Sequence, residues 1–270
     1  MSDFRGIFVR RIGKLLPRFA KNLLLKSGII KDLVFGKHGH GFWEERLLLF
    51  FGAVVKPGWI CVDVGANFGF HTIPLAKLCA PNGFVYAFEA FPETAVGLQH
   101  EIDKENLSSC VKVESVAISD GTEKKVHLFA GRDNHHGEWS IVPRYEYGRS
   151  ATPEIEVDAI DLDSYFKGKP RIDLVKIDVE EAENKVLAGM QRILKEDRPI
   201  LMVEFHNDAL ALEGCAKYLS SDYDFFDPDG CPTDPGRQWR YHTYCFPKET
   251  TMDVEGIFAS LGPRVLNRKA

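Results

Sequence analysis

Two pairs of ionisable residues lie where predicted strands end, and their side chains could act on a hydroxyl group. Lys176 and Asp178 belong to an almost wholly apolar run, and Glu204 and His206 stand at the end of the next such run. Residues two apart on a strand share one face, so the members of each pair should point in one direction. A carboxylate or a neutral imidazole can accept the proton of a hydroxyl. We therefore predict that His206 or Asp178 is the general base, while Lys176 and Glu204 position the substrate.

Two other interpretations of these charges stay open. The first is a structural ion pair between Lys176 and Asp178, because buried charges need compensation. The second is a metal-assisted site with hard ligands for magnesium or manganese, whose members would be Asp178, Glu180, Glu204 and His206. No tight ligand motif accompanies them, so we predict that the site contains no metal. Glu180 remains a candidate catalytic residue, whereas Glu183 could simply favour the start of a helix.

A glycine-containing turn within residues 62–72 joins a predicted strand to a predicted helix. Gly65 and Gly69 have no Cβ, so a ligand could lie against the backbone beside the free amides of the helix start. A dinucleotide-binding turn would need glycines at positions 65, 67 and 70, but positions 67 and 70 are Asn and Phe. The turn therefore predicts a nucleotide-type cofactor other than NAD.

Two carboxylates indicate which cofactor this turn would bind. Asp63 precedes the turn, where a carboxylate would repel a pyrophosphate and attract an ammonium group. Glu89 follows the next predicted strand, where a carboxylate can accept both hydroxyl groups of a ribose. Adenosine joined to a charged amino-acid tail is S-adenosylmethionine, which we predict as the cofactor. The structural alternatives are a plain chain reversal and a solvated strand end.

Five segments of the chain resemble, in order, the motifs of the FkbM family of S-adenosylmethionine-dependent methyltransferases. They are Val62–Gly69, Ala87–Pro92, Val116–Gly121, Val175–Glu180 and Val203–His206. The resemblance implies a Rossmann-like methyltransferase fold and the methylation of a hydroxyl on a sugar or natural product. One departure is Glu181, which stands where the family pattern usually has a glycine. It adds bulk and negative charge at the mouth of the site.

The same segments imply which residues contact the cofactor. We expect contacts from Asp63, Gly65, Ala66, Asn67, Gly69, Thr72, Glu89, Ala90, Phe91, Ser119 and Asp120. In the family, an aspartate at the position of Asp120 lies beside the adenine ring. The alternative for Asp120 is an ordinary Asp-Gly hairpin turn, because the pattern of 124–130 is that of a returning strand.

The elements that must position these residues alternate between strand and helix patterns. Strands are predicted at 59–64, 84–88, 111–118, 124–130, 155–162, 173–179, 200–205, 223–226 and 242–246. Helices are predicted at 70–79, at 92–106, for a short stretch from Asp163, and at 180–194. This order agrees with the fold that the resemblance implies, which is an α/β, Rossmann-like class I methyltransferase fold with a mostly parallel central sheet, helices on both faces and an antiparallel edge.

Composition and charge are those of an ordinary globular protein. The chain has 270 residues, of which 44% are hydrophobic and 27% charged, and its formal net charge is -5. This charge argues against a general nucleic-acid binder, and the length suits one catalytic domain. The six cysteines have no short spacing, which indicates buried thiols in a reducing compartment. The sequence shows neither a signal-peptide pattern nor an apolar run long enough to span a membrane. We therefore expect a cytoplasmic protein.

Residues 1–40 differ in character from the catalytic domain predicted at 41–270. Apolar residues recur there at helical spacing, and few acids oppose the basic residues. This basic amphipathic arm could pack on the catalytic domain, which Gly13 and Pro17 favour because they interrupt a continuous surface helix. The alternative is peripheral docking of residues 1–35 on the anionic inner face of a membrane.

Two polar and aromatic segments are predicted to lie near the substrate. The composition of residues 131–150 predicts a loop that forms a lid over the substrate. His135 and His136 are adjacent in this loop, so on an extended backbone they would point to opposite sides and could not bind one metal ion together. Trp239 and Tyr241 could stack on a sugar or belong to the core. A small molecule or a glycan is therefore the expected partner, while the sequence leaves the oligomeric state undetermined.

Two other classes of function fit the sequence less well than a methyltransferase does. The broken glycine pattern disfavours an NAD-linked sugar oxidoreductase. The charges at the strand ends disfavour a non-catalytic scaffold that uses the cofactor fold only at a membrane surface or in a complex.

Overall fold

A computed structural model describes residues 42–129, 139–143, 155–206, 208–233 and 241–262 of the chain. The strands of these parts are β1 (Ile60–Val64), β2 (Phe84–Phe88), β3 (Val111–Glu114), β4 (Ala117–Ile118), β5 (Lys125–Leu128), β6 (Ile155–Ile160), β7 (Leu174–Ile177), β8 (Ile200–Phe205), β9 (Tyr223–Phe226) and β10 (Tyr241–Pro247). The helices are α1 (Phe42–Val54), α2 (Thr72–Cys79), α3 (Pro92–Lys104), α4 (Leu162–Tyr165), α5 (Glu183–Ala188), α6 (Gln191–Glu196), α7 (Asp208–Gly214) and α8 (Val254–Ser260). A π-helical turn, Cys215–Leu219, follows α7.

Seven strands form the central sheet, in the order β3-β2-β1-β7-β8-β10-β9. The first five in this order are parallel, and β10 is antiparallel to both β8 and β9. The order reverses between β1 and β7, where Asp63 lies opposite Lys176. In open α/β sheets, ligands bind beyond the carboxyl ends of the strands at such a reversal. The predicted α/β fold with a mostly parallel sheet and an antiparallel edge is confirmed.

Helices cover both faces of the sheet because successive side chains of each strand point into two different cores. One core joins Cys61 and Leu174 to apolar residues of α1, α2, α3 and α8. The other joins Val62 and Val175 to apolar residues of α4, α5, α6 and α7. Strands that are buried on both faces must be apolar throughout, so the charges of Asp63 and Lys176 in these strands need special partners.

A second sheet of three strands has the order β4-β6-β5. β4 is parallel to β6 and β5 is antiparallel to it. The single strand predicted at 111–118 is therefore wrong, because this stretch divides into β3 of the central sheet and β4 of the small sheet. The Asp-Gly hairpin is wrong as well, since β4 and β5 each pair with β6 and not with each other. Strand propensity is local and does not reveal which partner a strand will find.

The helix predicted at 180–194 is wrong in its extent, because it consists of the shorter helices α5 and α6. The break lies at Gly189, which packs so closely on Ser119 that an added Cβ would be 2.1 Å from the Ser119 carbonyl oxygen. The carboxylate of Asp163 accepts hydrogen bonds of 2.7 and 3.0 Å from two backbone amides of α6. Asp163 therefore caps this distant helix, while α4 begins one residue earlier at Leu162.

Several predictions lie outside the described residues. These are the arm at 1–40, most of the lid at 131–150, and the contacts of Trp239 and of the Tyr241 side chain. Within the described parts of the chain, none of the helices is long and apolar enough to cross a bilayer. Five of the six cysteines are buried and Cys110 is half-buried.

Candidate active site

The carboxyl ends of the parallel strands border one crevice, as the topology requires. Its polar surface comes from the segments that follow β1, β2 and β7, and consists of Gly65, Asn67, Glu89, Asp178 and Glu180. Its apolar surface includes Val116, Ile118, Leu128, Trp139 and Ile141, which belong to the small sheet and its neighbourhood. One side of the crevice can thus bind polar groups, and the other offers apolar contact.

The turn after β1 depends on backbone conformations that few residues adopt. Gly65 and Gly69 have φ angles of +76° and +86°, and Asn67 has +49°. Asparagine tolerates this region better than other residues that carry a Cβ. A Cβ on Gly65 would lie 1.8 Å from the backbone oxygen of Asp178. Gly65 therefore lets the turn after β1 pack directly on the segment after β7.

Glu89 links this turn to the end of β2. Its two carboxylate oxygens accept backbone amides from Asn67, at 2.8 Å, and from Phe91, at 2.9 Å. Burial raises the pKa of Glu89 above its ordinary value, although the two amides and the charge of Lys176 oppose this. Each carboxylate oxygen retains a lone pair for another donor. Glu89 is thus placed to accept hydroxyl groups from a ligand in the crevice.

Lys176 joins the two central strands through its ammonium group. Nζ lies 3.1 Å from an Asp63 oxygen and 3.3 Å from an Asp178 oxygen, and it donates a 2.9 Å hydrogen bond to the carbonyl of Gly65. Thr72 donates a 2.7 Å hydrogen bond to Asp63. Lys176 and Asp63 are only 1% and 0% exposed. The ammonium group of Lys176 therefore lies beside Asp63, and binding of a cofactor ammonium group near Asp63 stays a prediction.

Four carboxylates surround the imidazole of His206. Glu183 lies 2.8 Å from Nδ1, while Glu180, Asp178 and Glu204 lie 3.5, 3.8 and 4.0 Å from Nε2. Burial lowers the pKa of His206, but the hydrogen bond to Glu183 and the charges of the nearby carboxylates outweigh burial and raise the pKa to about 9. A histidine that acts as a general base must be neutral, and at pH 7 His206 would then be neutral in only about one molecule in a hundred.

Asp178 stays ionised in this cluster. Burial would raise its pKa, but the positive charges of Lys176 and His206 outweigh burial and lower the pKa below its ordinary value. Its side chain is 26% exposed and lines the crevice. Glu204 accepts a 2.8 Å hydrogen bond from Nε2 of the buried His242. The two pairs expected from their spacing, Lys176 with Asp178 and Glu204 with His206, do lie on common faces.

The segment between Asp178 and α5 has a strained backbone. Glu180 and Glu181 have φ angles of +53° and +75°, which disfavour residues with a Cβ. Glu181 thus adopts a conformation that glycine would adopt at less cost, at the position where the resemblance places glycine. The hydroxyl of Ser140 donates to the backbone oxygen of Glu180. This contact connects residues 139–143 to the same segment.

The predicted cofactor residues divide into two groups. Gly65, Asn67, Glu89 and Ala90 line the crevice. Asp63, Ala66, Gly69, Thr72, Phe91, Ser119 and Asp120 are not part of its lining. Asp120 accepts hydrogen bonds from the amide and hydroxyl of Thr122, and the ring of Phe91 stacks on Trp139 with a centroid distance of 4.4 Å.

Sequence reasoning missed the apolar side of the crevice. Val116, Leu128 and Ile141 line it, yet in the sequence they are indistinguishable from core residues. It also treated Glu183 as a helix-start residue, although this fully buried carboxylate binds Nδ1 of His206. The sequence does show that Glu183 lies near Asp178 along the chain, which could have indicated a place in the site. Its contact with His206 could not be predicted, because it depends on the packing of α5 against β8.

Comparison with known proteins agrees with this geometry. A family model described as the methyltransferase FkbM domain matches residues 63–226. The chain is 25% identical over 174 residues to 31-O-demethyl-FK506 methyltransferase FkbM of Streptomyces tacrolimicus, a match that covers 55% of this chain and 66% of that protein. It is 26% identical over 188 residues to AMB antimetabolite synthetase AmbE of Pseudomonas aeruginosa, which covers 58% of this chain and 9% of that protein.

A solved structure shows the same fold. The crystal structure of methyltransferase FkbM from Methylobacillus flagellatus KT matches with a TM-score of 0.50 at 16% identity, over 90% of this chain and 59% of that chain. The chain therefore spans at most 66% of the length of these three relatives. The family model nevertheless extends from the end of β1 to the end of β9, over more than half of the sequence. The protein belongs to the FkbM family of S-adenosylmethionine-dependent methyltransferases.

Proposed function

We propose that this protein transfers a methyl group from S-adenosylmethionine to a hydroxyl group of a small molecule. One observation carries the proposal: Asp178 and Glu180 line the same crevice as Gly65 and Glu89. A cluster of proton acceptors therefore adjoins the turn that suits a nucleoside. O-methylation requires these two features side by side, because the acceptor oxygen must reach the donor.

The described residues fit S-adenosylmethionine. Glu89 would accept the ribose hydroxyls. Burial raises its pKa, so additional hydrogen-bond donors would stabilise its ionised form. Ala90 and the apolar residues around Ile118 would contact the adenine ring. When bound, the cofactor supplies an electrophilic methyl group on a positively charged sulfur.

A carboxylate would accept the acceptor's proton more readily than the imidazole would. The carboxylates around His206 raise its pKa to about 9, so the ring is already protonated at neutral pH and cannot accept a further proton. Asp178 is ionised and borders the crevice. Lys176 then positions Asp178 through their 3.3 Å ion pair and keeps the two central turns together. We assign the proton-accepting role to the carboxylates and the positioning role to Lys176 and His206.

The acceptor would be a hydroxylated molecule with an apolar portion. The carboxylates can bind hydroxyl groups, and Leu128, Trp139 and Ile141 offer an apolar surface. The relative from Streptomyces tacrolimicus is named as a methyltransferase of 31-O-demethyl-FK506. This name supports methyl transfer to an oxygen of a small molecule, and a hydroxyl of a natural product or sugar is the acceptor that we propose.

Calorimetry would test the cofactor without knowledge of the acceptor. We expect saturable binding of S-adenosylmethionine and S-adenosylhomocysteine with one site per chain, and no binding of NAD. The control is Gly65→Ala, which should lose binding because a Cβ there collides with the Asp178 backbone. Binding of NAD in place of the two sulfur compounds would contradict the proposal.

Methyl-labelled cofactor and a panel of hydroxylated small molecules would test the reaction. A methyl ether resists alkaline hydrolysis, whereas a methyl ester releases methanol, so the labelled product identifies the acceptor atom. Asp178→Asn should reduce turnover by about a hundredfold or more, while cofactor affinity changes little. Glu181→Gln removes a charge from the same segment outside the crevice lining and should retain activity. Equal activity of both variants would remove Asp178 from the mechanism.

A further inference from the structure

The donor atoms around His206 have the spacing of ligands that share one ion. Nε2 of His206 and one oxygen each of Asp178 and Glu180 all lie within 4.8 Å of one another. The separations from Nε2 are 3.5 Å to Glu180 and 3.8 Å to Asp178. These are longer than good hydrogen bonds, whereas atoms bound to one ion at about 2.1 Å stand roughly 3 to 4 Å apart.

The orientation of the imidazole is a second, independent observation. Glu183 is fully buried, and its Oε1 lies 2.8 Å from Nδ1 of His206 and also accepts the amide of Glu181. A carboxylate on Nδ1 keeps a proton on that nitrogen and directs the other nitrogen away from it. Histidines that bind metals usually have this arrangement, because the outer carboxylate fixes the tautomer and makes the ligating nitrogen more basic. Nε2 consequently faces Glu180 and Asp178, and Glu204 lies slightly farther away at 4.0 Å.

We propose that Asp178, Glu180 and His206 bind a divalent cation of the magnesium and manganese class at the edge of the crevice. The binding itself is independent of the proposed function, and only its catalytic role rests on it. Two of the three donors are carboxylate oxygens, which such ions prefer, and Mn²⁺ also accepts an imidazole nitrogen. This assignment revises the prediction of a metal-free site.

Three protein donors leave coordination positions open on an ion of this class. Asp178 and Glu180 also line the crevice, so these positions would be accessible to an acceptor oxygen or to water. An oxygen bound to a divalent cation loses its proton far more readily than a free hydroxyl does. A weak base such as Glu204, which lies 4.0 Å from Nε2 of His206, would then suffice. Because only a deprotonated imidazole nitrogen can ligate, binding of the ion would release any proton that Nε2 carries.

Titration of Mn²⁺ into the chelator-treated full chain, without cofactor or acceptor, would test the site. Calorimetry and electron paramagnetic resonance should both give one ion per chain, and Mg²⁺ should displace it. Glu180→Gln and His206→Asn should each weaken Mn²⁺ binding by about tenfold or more. The matched control is Glu181→Gln, which removes the neighbouring charge from the same segment and should change the affinity by less than about threefold. Thermal unfolding of each variant verifies that it is folded.

Three results would overturn the proposal. The first is the absence of saturable Mn²⁺ binding, and the second is several equivalent weak sites in place of one. The third is an equal loss of affinity in Glu180→Gln and Glu181→Gln, because this would indicate general electrostatic attraction rather than ligation. None of these results bears on cofactor binding, so failure of the ion site and failure of the proposed methyltransferase function are distinguishable.

Discussion

Lys176 and His206 show how neighbouring charges decide what an ionisable residue does. Lys176 is 1% exposed, and its charge is stabilised there by Asp63 and Asp178. Burial lowers the pKa of His206, but the hydrogen bond to Glu183 and the charges of Glu180, Glu183 and Asp178 outweigh burial and raise the pKa to about 9. Both residues were predicted from their spacing, but a role as base or as positioning group depends on partners that are distant in the sequence.

Glu89 provides a prediction at the residue scale that depends on pH. In the proposed function, ribose hydroxyls would donate to the ionised carboxylate of Glu89, so the cofactor should bind that form better than the protonated form. Because burial raises the pKa of Glu89 above its ordinary value, protonation begins at a higher pH than for an exposed glutamate. The cofactor affinity should therefore fall as the pH is lowered from about 7 to about 5. Calorimetry at a series of pH values would measure this.

Glu89→Gln should weaken cofactor binding by about ten- to hundredfold at neutral pH, because a charged acceptor is lost. Its remaining affinity should no longer depend on pH over that range. Glu181→Gln serves as the control and should retain the pH dependence. An unchanged pH profile in Glu89→Gln would show that another group controls the affinity.

The segments that follow the parallel strands create the site at the scale of elements. The turn after β1 and the segment after β7 touch at Gly65, where the backbone oxygen of Asp178 occupies the space of a Cβ. Glu89, at the end of β2, accepts an amide of the same turn. The crevice therefore depends on close packing of three loops, which only a parallel arrangement of these strands can bring together.

Two glycine variants would measure this packing. Gly65 and Gly58 both have positive φ angles, of +76° and +91°, but nothing lies within 4 Å of a Cβ added to Gly58. Gly58→Ala should show the cost of the backbone conformation alone, and Gly65→Ala should lower the free energy of unfolding by roughly 1 to 3 kcal/mol more. Urea denaturation would measure both. If both variants lost the same free energy of unfolding, the turn after β1 and the segment after β7 could move apart without a measurable cost, and the close packing at Gly65 would not contribute to stability.

The described parts of the chain form one connected fold at the scale of the whole molecule. Arg46 of α1 lies only 2% exposed, donates to the backbone oxygens of Pro228 and Leu261, and lies 3.6 Å from Asp229. These contacts join the helix that precedes the sheet to segments that follow β9 and α8. The antiparallel edge is thus anchored to α1.

Arg46→Met should lower the free energy of unfolding by about 3 to 5 kcal/mol, because Asp229 would remain buried without this partner. Urea denaturation would measure the loss, and the double variant with Asp229→Asn should recover part of it. Lys125→Met is the control, since its ion pair with Glu156 is exposed and should contribute less than about 1 kcal/mol. If Arg46→Met unfolded at the same urea concentration as Lys125→Met, the proposed anchor would be wrong.

The sequence alone was sufficient for the fold class, for the positions along the chain of the strands that border the site, and for the turn at Gly65. These features follow from apolar periodicity and from glycines and charges at strand ends, which are local properties of the chain. The resemblance to the FkbM family rests on the same segments, and the match over residues 63–226 confirms it. The division of 111–118 between two sheets escaped this reasoning, because strand propensity does not specify a partner.

The tertiary structure alone decided which partners surround the charged residues. It brought Glu183 to Nδ1 of His206 and Lys176 to Asp63, contacts that depend on the packing of α5 against β8 and of β7 against β1. It also showed that Val116 and Leu128 line the crevice while they pack against hydrophobic cores. A pKa, a donor direction or a cavity surface is a property of groups assembled from distant segments, so no single segment of the sequence encodes it.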